Sequence, residues 1–485
     1  MRGIERRARE GIHLFTLIHP ERYGSLDAYQ SRNASFRELL LRLVPGTWHV
    51  GRETGTWCDA QPPEPSIPDT GFKIHVSTAH DRARELLMTV VPHLVAERVA
   101  FKVLVDESML DLSNSHMWGR GASGKFITIY PADVEQLKRL MPRLHALTQD
   151  FVGPYILSDK RYKGSGVLFY RYGAFRSLPR LNAYGEQEMY LRTADGRILP
   201  DPRPPFFTLP EGVADPFPDD DENQGGEPIL HGRYKALSAL SSSAKGGVYR
   251  CLDLRTGQEV VVKEARPLVN RGRMNPCDAV ACLQNEYRIL QRLEDTGLVP
   301  RPLDFFQDWE HSFLVMELAR GNNLGTHIAS GHLSLIAVSQ PSAEDIRRFC
   351  ESFLAVSRKL ISALRAIHAR GVIIQDISPK NILWDLERDR LTFLDFEAAF
   401  DLQDPAQGPV IRLFTPGFGE ERGQEQALTY RDDHRALSRI LGDFLYPPTP
   451  FFALAPQARV PMLTHFAREK GIPDAFMRLV FGVEE

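Results

Sequence analysis

The sequence predicts an α+β protein of more than one domain, on three observations. Apolar and polar residues alternate in "GFKIHVS" (71–77), "RVAFKVLVD" (98–106), "GKFITIYP" (124–131) and "GVLFYRYG" (166–173), the period of strands with one buried face. "PADVEQLKRLMPRLHALTQDF" (131–151) has helical spacing behind a Pro-Ala-Asp start. "LPDPRPPFFTLPEGVADPFPDDDENQGGEPI" is dense in Pro, Gly and acid, a composition that predicts a linker. The predicted division is 1–205, a linker over 206–230, and 231–485.

Residues i and i+2 of a strand share a face. Phe72, Ile74 and Val76 are therefore expected to face a core, with Lys73, His75 and Ser77 on the opposite side. The 43% hydrophobic and 25% charged composition is that of a globular protein. A net charge of -3 gives no general case for nucleic acid as a partner. Residues 71–180, however, hold 16 Lys+Arg against 10 Asp+Glu, a +6 balance suited to an anionic group such as phosphate. The five cysteines form no CxxC pair, which predicts a reduced, cytoplasmic protein without a structural zinc site. No signal peptide and no membrane span are expected, since the N-terminus lacks an apolar h-region and no 18-residue apolar run occurs.

The second half carries a spaced series. "YKALSALSSSAKGGVYRCLDLRTGQEVVVKEA" (234–265) reads as a strand, a small-residue turn, a strand, a Thr-Gly turn and a strand. Helical patterns follow in "AVACLQNEYRILQRL" and "ESFLAVSRKLISALRAIHARG". Lys263 ends the strand "EVVVK", and Glu286 follows 23 residues later in a helix. "FLVMELARG" runs through Glu317 into a polar hinge. "IIQDISPKNILWD" places Asp376 five residues before Asn381, and "LTFLDFEAAF" places Asp395 fourteen beyond it.

Motif by motif this series resembles the signature set of protein kinases, over about residues 231–440. The resemblance implies a two-lobed kinase-like fold using ATP (or GTP) and Mg²⁺. In that reading Lys263 holds phosphates and is positioned by Glu286. Asn381 and Asp395 ligate the metal, and Asp376 accepts or orients the substrate hydroxyl. Ser243, Gly246, Val248 and Glu317 would line the nucleotide, and Asp433 resembles the αF aspartate that braces the catalytic loop. Three departures stand out. Ser241 and Ser243 replace the first two glycines of the Gly-rich loop, Ile374-Gln375 precedes Asp376, and Glu397 stands where a DFG glycine is usual. The first and the third support a peptide-binding pseudokinase scaffold as an alternative. The presence of Lys263, Glu286, Asp376, Asn381 and Asp395 together favours an active kinase.

"QDISPKN", with Lys380 before Asn381, and "TPGF" (415–418) resemble the kinases of class III and IV lanthipeptide synthetases. In that family an N-terminal domain similar to phosphothreonine lyases eliminates the phosphate that the kinase adds. The first half has matching pieces over roughly 70–180: Lys73 and His75, then Lys102, then Arg120, Lys125 and Tyr130, then Arg161 and Arg171. Taken singly, a Lys-x-His strand reads as a polar strand face, Lys102 as a surface lysine and each arginine as an ion-pair partner. Their order upstream of this kinase gives them the roles the resemblance implies. Lys102 is the base, His75 the general acid, and Lys73, Arg120, Lys125, Tyr130, Arg161 and Arg171 surround phosphate. β-Elimination needs a strong base that is deprotonated near neutrality, which suits a lysine among other cations, and an acid for the leaving oxygen, which suits imidazole.

The expected function is a bifunctional dehydratase of a ribosomal precursor peptide. It phosphorylates Ser/Thr and eliminates phosphate to dehydroalanine or dehydrobutyrine for lanthionine formation. A Ser/Thr protein kinase with a regulatory N-terminal domain is the other alternative. The expected partner is a leader-bearing peptide, docked by the stretch "NNLGTHIASGHLSLIAVSQPSAEDIRRF" (322–349) or the helix around Glu286; no membrane or nucleic-acid partner is expected. The 52 residues after Asp433 are expected to complete the kinase, leaving the family's cyclase as a separate or missing domain.

Overall fold

A computed structural model describes residues 26, 29–31 and 36–483, apart from 52–54, 177, 186, 194–195, 202–203, 219–228, 273–274, 331–334, 336–337, 405–414, 416–417, 419–426, 448–450 and 453–454. The chain divides into two units. The first is Met1–Pro228 with Ser241–Gly247 and Ala265–Ala279; the second is Ile229–Leu240, Val248–Glu264 and Val280–Glu485.

The first unit begins with α1 (Phe36–Leu43) and is built on strands β1 (His49–Val50), β2 (Trp57–Gln61), β3 (Thr70–Val76), β4 (Ala100–Leu104), β5 (Ile127–Tyr130), β6 (Lys160–Arg161) and β7 (Leu168–Ala174). They form one sheet in the order β1-β2-β4-β5-β3-β7-β6. Every neighbouring pair is antiparallel. Helices α2 (Ala83–Ala96), α3 (Glu107–Ser113) and α4 (Val134–Leu147) intervene. The predicted helix over 131–151 is thus four residues shorter at its C-terminal end. Its N-cap is Asp133, whose carboxylate accepts from Gln136 N at 2.7 Å. Such a cap is worth about 1 kcal/mol.

Alternation sorts the sheet's side chains as expected. Phe72, Ile74 and Val76 join Phe101, Val103, Ile127, Ile129, Leu168 and Tyr170 in one core with Leu86, Val90 and Leu94 of α2 and Leu140 and Leu144 of α4. Each fully buried side chain of this kind contributes about 1.5–3 kcal/mol. The polar face is not a solvated one: Lys73, His75, Thr128 and Arg171 are all buried.

The linker predicted over 206–230 differs in its first half. Phe207, Leu209, Val213 and Phe217 pack against the same core. Asp215 accepts from Lys160 Nζ at 2.8 Å and from Tyr170 Oη at 2.7 Å. The apolar residues between the prolines are few, but they are placed to cover an existing core, a role composition alone does not reveal. Residues 219–228 lie outside the described residues. Between β7 and this segment, β8 (Leu178–Leu181), β9 (Gln187–Arg192) and β10 (Ile198–Pro200) make a three-stranded meander.

The kinase-like part has a six-stranded sheet in the order β11-β12-β13-β14-β16-β15. Its strands are β11 (Ile229–Leu230), β12 (Tyr234–Ser243), β13 (Gly246–Asp253), β14 (Glu259–Ala265), β15 (Pro302–Asp308) and β16 (His311–Glu317), with α5 (Ala279–Leu293) inserted after β14. The helical portion contains α6 (Leu324–Ala329), α7 (Ala343–His368), α8 (Tyr430–Leu445), α9 (Arg459–Glu469) and α10 (Asp474–Gly482). Among these helices run short strands β17 (Asn322–Asn323), β18 (Val372–Ile373), β19 (Ile382–Asp385), β20 (Arg390–Phe393) and β21 (Phe400–Asp401). Helix α7 opens on a capping box between Ser342 and Asp345, and its apolar stripe buries Phe349, Phe353, Leu360 and Leu364. Parts of the stretch considered for leader docking (331–334 and 336–337), and Pro416 and Gly417 of "TPGF", lie outside the described residues. Among the described residues no helix is long and apolar enough to cross a membrane.

Candidate active site

Strand register lays out the first-unit site. Lys102 of β4 stands opposite Thr128 of β5, and Thr128 stands opposite His75 of β3. On the far side His75 is opposite Phe169, and Phe169 is opposite Arg161. Directly opposed residues share a face, so Lys102, Thr128, His75 and Arg161 form one row across it. The row beside it pairs Lys73 with Arg171. Lys102 and His75 are two strand spacings apart, about 9.5 Å at Cα.

His75 is held from behind. Its Nδ1 donates to Asp159 Oδ2, and Asp159 is fully buried. The other carboxylate oxygen accepts from Ser158 Oγ at 2.6 Å and pairs with Lys125 Nζ at 3.3 Å. Lys125 Nζ also donates to Ser158 Oγ at 3.0 Å. Burial would raise the Asp159 carboxyl, but His75 and Lys125 outweigh it and hold it well below the usual range. Burial lowers His75 to about 3, and the Lys125 and Lys73 cations add to this against the opposing pull of Asp159. The ring is therefore neutral near pH 7, with its proton on Nδ1 and a lone pair on Nε2.

The other predicted residues of this unit each have contacts of their own. Lys73 Nζ lies 6.0 Å from the Tyr130 ring centre and 5.9 Å from that of Phe175. Lys102 Nζ lies 4.4 Å from the Trp57 ring centre. The Arg161 guanidinium stacks 4.7 Å from the Tyr155 ring centre. Arg171 Nη2 donates to Asp201 Oδ1 at 2.7 Å. Arg120 has a different attachment: its Nη1 donates to Ser243 O at 3.1 Å, within the same unit. Asp159 and Asp201 were not singled out in the sequence. The usable signal was an acid inside an otherwise basic stretch, "SDKRYK", but its partner His75 is 84 residues away.

In the kinase-like part, Lys263 ends three carboxylate contacts. Its Nζ lies 2.5 Å from Glu286 Oε2, 3.1 Å from Asp395 Oδ1 and 3.3 Å from Glu397 Oε1. Burial alone would lower the ammonium, but Asp395, Glu286 and Glu397 outweigh it and raise it well above its ordinary value. The paired Glu286 also accepts from Phe396 N at 3.3 Å, tying α5 to the "DFE" turn. Val248 is the strand partner of Lys263, and Glu317 closes β16 with its N–H on Arg301 O at 2.9 Å. Ser243 and Gly246 flank the turn between β12 and β13.

Asp376 accepts from Thr415 N at 2.6 Å, and its carbonyl accepts from Asn381 Nδ2 at 3.1 Å. Burial, then the nearby Asp395, raises the Asp376 carboxyl above its usual value. The loop is braced by Asp433, fully buried, which accepts from Ile374 N and Gln375 N at 2.9 Å each and from His368 Nε2 at 2.8 Å. Gln375, where the kinase pattern has arginine, adopts φ 68° and donates its side-chain amide to Ala398 O. The Glu286, Asp395 and Glu397 carboxylates each place an oxygen within 4.8 Å of the others. Three carboxylates against one lysine leave an excess of negative charge. Oxygen donors of this kind suit a hard divalent cation.

Sequence comparisons match each half of the chain to a known family. Residues 37–228 match the family described as RamC, N-terminal domain, and residues 234–420 match the protein kinase domain. The fold and site therefore define a protein kinase joined to a RamC-type N-terminal domain. The probable SapB synthase of Streptomyces coelicolor is 36% identical over 378 residues, covering 77% of this chain and 40% of that protein. The chain thus combines the two matched domains, a RamC-type N-terminal domain and a protein kinase domain. Protein kinases match over shorter stretches. CBL-interacting serine/threonine-protein kinase 14 of Arabidopsis thaliana is 29% identical over 184 residues, 38% of this chain and 36% of that protein. Serine/threonine-protein kinase B of Synechocystis is 29% identical over 174 residues, 35% of this chain and 27% of that protein. The chain spans two fifths or less of the length of these curated relatives.

Proposed function

We propose that the chain is a bifunctional Ser/Thr dehydratase acting on a leader-bearing ribosomal peptide. The observation that carries this reading is the shared sheet face of Lys102 and the Asp159-backed His75, in one chain with a complete Lys263–Glu286, Asp376, Asn381 and Asp395 set.

In the first reaction the substrate hydroxyl oxygen attacks the γ-phosphorus of ATP (or GTP), and Asp376 receives or orients its proton. Lys263 holds the phosphates, kept in place by Glu286. Mg²⁺, which neutralises phosphate charge when bound, would be held by Asp395 and by Asn381. The latter commits its amide nitrogen to the Asp376 carbonyl, which turns its oxygen the other way.

In the second reaction Lys102 Nζ removes the Cα proton, that electron pair forms the Cα=Cβ bond, and the Cβ–O bond breaks with phosphate leaving. Lys73 and Arg171 hold the phosphate, with Tyr130 and Arg161 at its margins. His75 arrives neutral, with Nε2 bare. It takes the proton of a monoanionic phosphate on binding, forming an imidazolium that Asp159 stabilises, and returns it to the departing oxygen. The cations that depress His75 in the free site are the ones the bound phosphate neutralises.

The two reactions are separable. An Asp376→Asn variant given a synthetic phosphoserine peptide is expected to release phosphate without nucleotide. Release that still requires an intact Asp376 contradicts the assignment of elimination to the first unit.

A further inference from the structure

Lys73 and Arg171 are directly opposed on neighbouring strands. Like charges in that position repel, and here both are buried, so the pair needs a counter-charge. Asp201 supplies it. Its Oδ1 accepts from Arg171 Nη2 at 2.7 Å, and its Oδ2 faces Ala174 N at 3.5 Å. Asp201 is itself buried and directly follows β10, so the β8–β10 meander ends by delivering this carboxylate to β7. Its own N–H is fixed to Met189 O at 2.8 Å.

Gly173 gives a second, independent sign that this geometry matters. A Cβ there would meet Arg171 Nη2 at 3.2 Å and both Arg171 Cζ and Asp201 Oδ1 at 3.4 Å. The glycine leaves room for the guanidinium–carboxylate pair.

We propose that Asp201 is a positioning residue for the phosphate site: it fixes the Arg171 guanidinium beside Lys73. One of the five guanidinium N–H groups is committed to the carboxylate, which leaves the others for an anion. The inference rests on the reading of Lys73 and Arg171 as the phosphate-holding pair, and its consequence is a pre-oriented site. Without Asp201 the arginine must be ordered by the ligand, at a cost in affinity.

The test is direct binding of inorganic phosphate to the full chain by calorimetry, with phosphate release from a phosphoserine peptide measured separately. Asp201→Asn and Gly173→Ala are each expected to weaken phosphate binding by on the order of tenfold. In the elimination assay the loss should appear in KM more than in kcat. Asp201→Glu is expected to recover part of it, a rescue that a purely structural role would not show. Thermal melting identifies any variant that fails to fold, in which case Gly173→Ala carries the measurement. Phosphate affinity unchanged in the folded Asp201→Asn and Gly173→Ala variants overturns the inference, whether or not the chain dehydrates peptides. Weakened binding in a chain that never eliminates phosphate would uphold it while removing the dehydratase reading.

Discussion

Lys102 on β4 and His75 on β3 both stand opposite Thr128 of β5, so the two side chains project from one sheet face on either side of a central strand. An antiperiplanar or syn elimination needs both groups on the substrate at once, with the Cα proton near one and the leaving oxygen near the other. Lys102→Ala and His75→Ala are each expected to lower phosphate elimination by about 10²–10⁴-fold. Phosphorylation should continue, so intact phosphopeptide accumulates and is read by mass. Normal dehydration in either variant would refute the role given to that residue.

Asp159 and His75 also predict how stability changes with pH. His75 is lowered from an ordinary 6.5 to about 3 in the folded chain. The folded state therefore favours the neutral ring. The stability this contributes is full above about pH 6.5 and is lost as pH falls from there through 3. Denaturant unfolding of His75→Asn, compared with the parent between pH 6.5 and 4, should show a shallower loss of stability. Parallel curves would mean that His75 is not held neutral by its surroundings.

Glu397 is a third carboxylate at the lysine, not merely a missing glycine. Its Oε1 is 3.3 Å from Lys263 Nζ and it belongs to the acidic group with Asp395. Glu397→Gln is expected to raise the Mg²⁺ concentration for half-maximal phosphorylation by about tenfold. Titration of the metal against phosphopeptide formation checks this, and an unchanged midpoint would leave Glu397 outside the metal site.

Asp433 accepts from two backbone N–H groups of the loop that precedes Asp376 and from His368 at the end of α7. Asp433→Ala strands those donors in a buried place, with an expected loss of about 3 kcal/mol in denaturant unfolding. The same variant should lose phosphorylation, because Asp376 directly follows the two braced residues.

Much of this was legible in the sequence, and the parts that were not have physical reasons. The strands at 71–77, 98–106, 124–131 and 166–173 showed themselves because one face of each is apolar. Their neighbours did not, because the order β1-β2-β4-β5-β3-β7-β6 joins segments far apart in the chain, and local period carries no register. Spacing singled out Lys263, Glu286, Asp376, Asn381 and Asp395, and folding brings Lys263 to Glu286 and Asp395, and Asn381 to Asp376. Asp159 and Asp201 show no such signal, since a lone aspartate in a loop has no period and each meets a partner brought to it by folding. Residues 207–217 read as linker because composition reports average burial. Four apolar side chains on a core already built by other elements escape that average.

The mass of a leader-bearing Ser/Thr peptide after incubation with the chain, a nucleoside triphosphate and Mg²⁺ tests the dehydratase assignment most directly. The expected result is a product lighter than the peptide by one water for each modified residue, with phosphopeptide as a transient. A peptide that gains phosphate and keeps it, under conditions where added phosphopeptide also stays intact, would contradict it and leave a protein kinase whose N-terminal unit has another role.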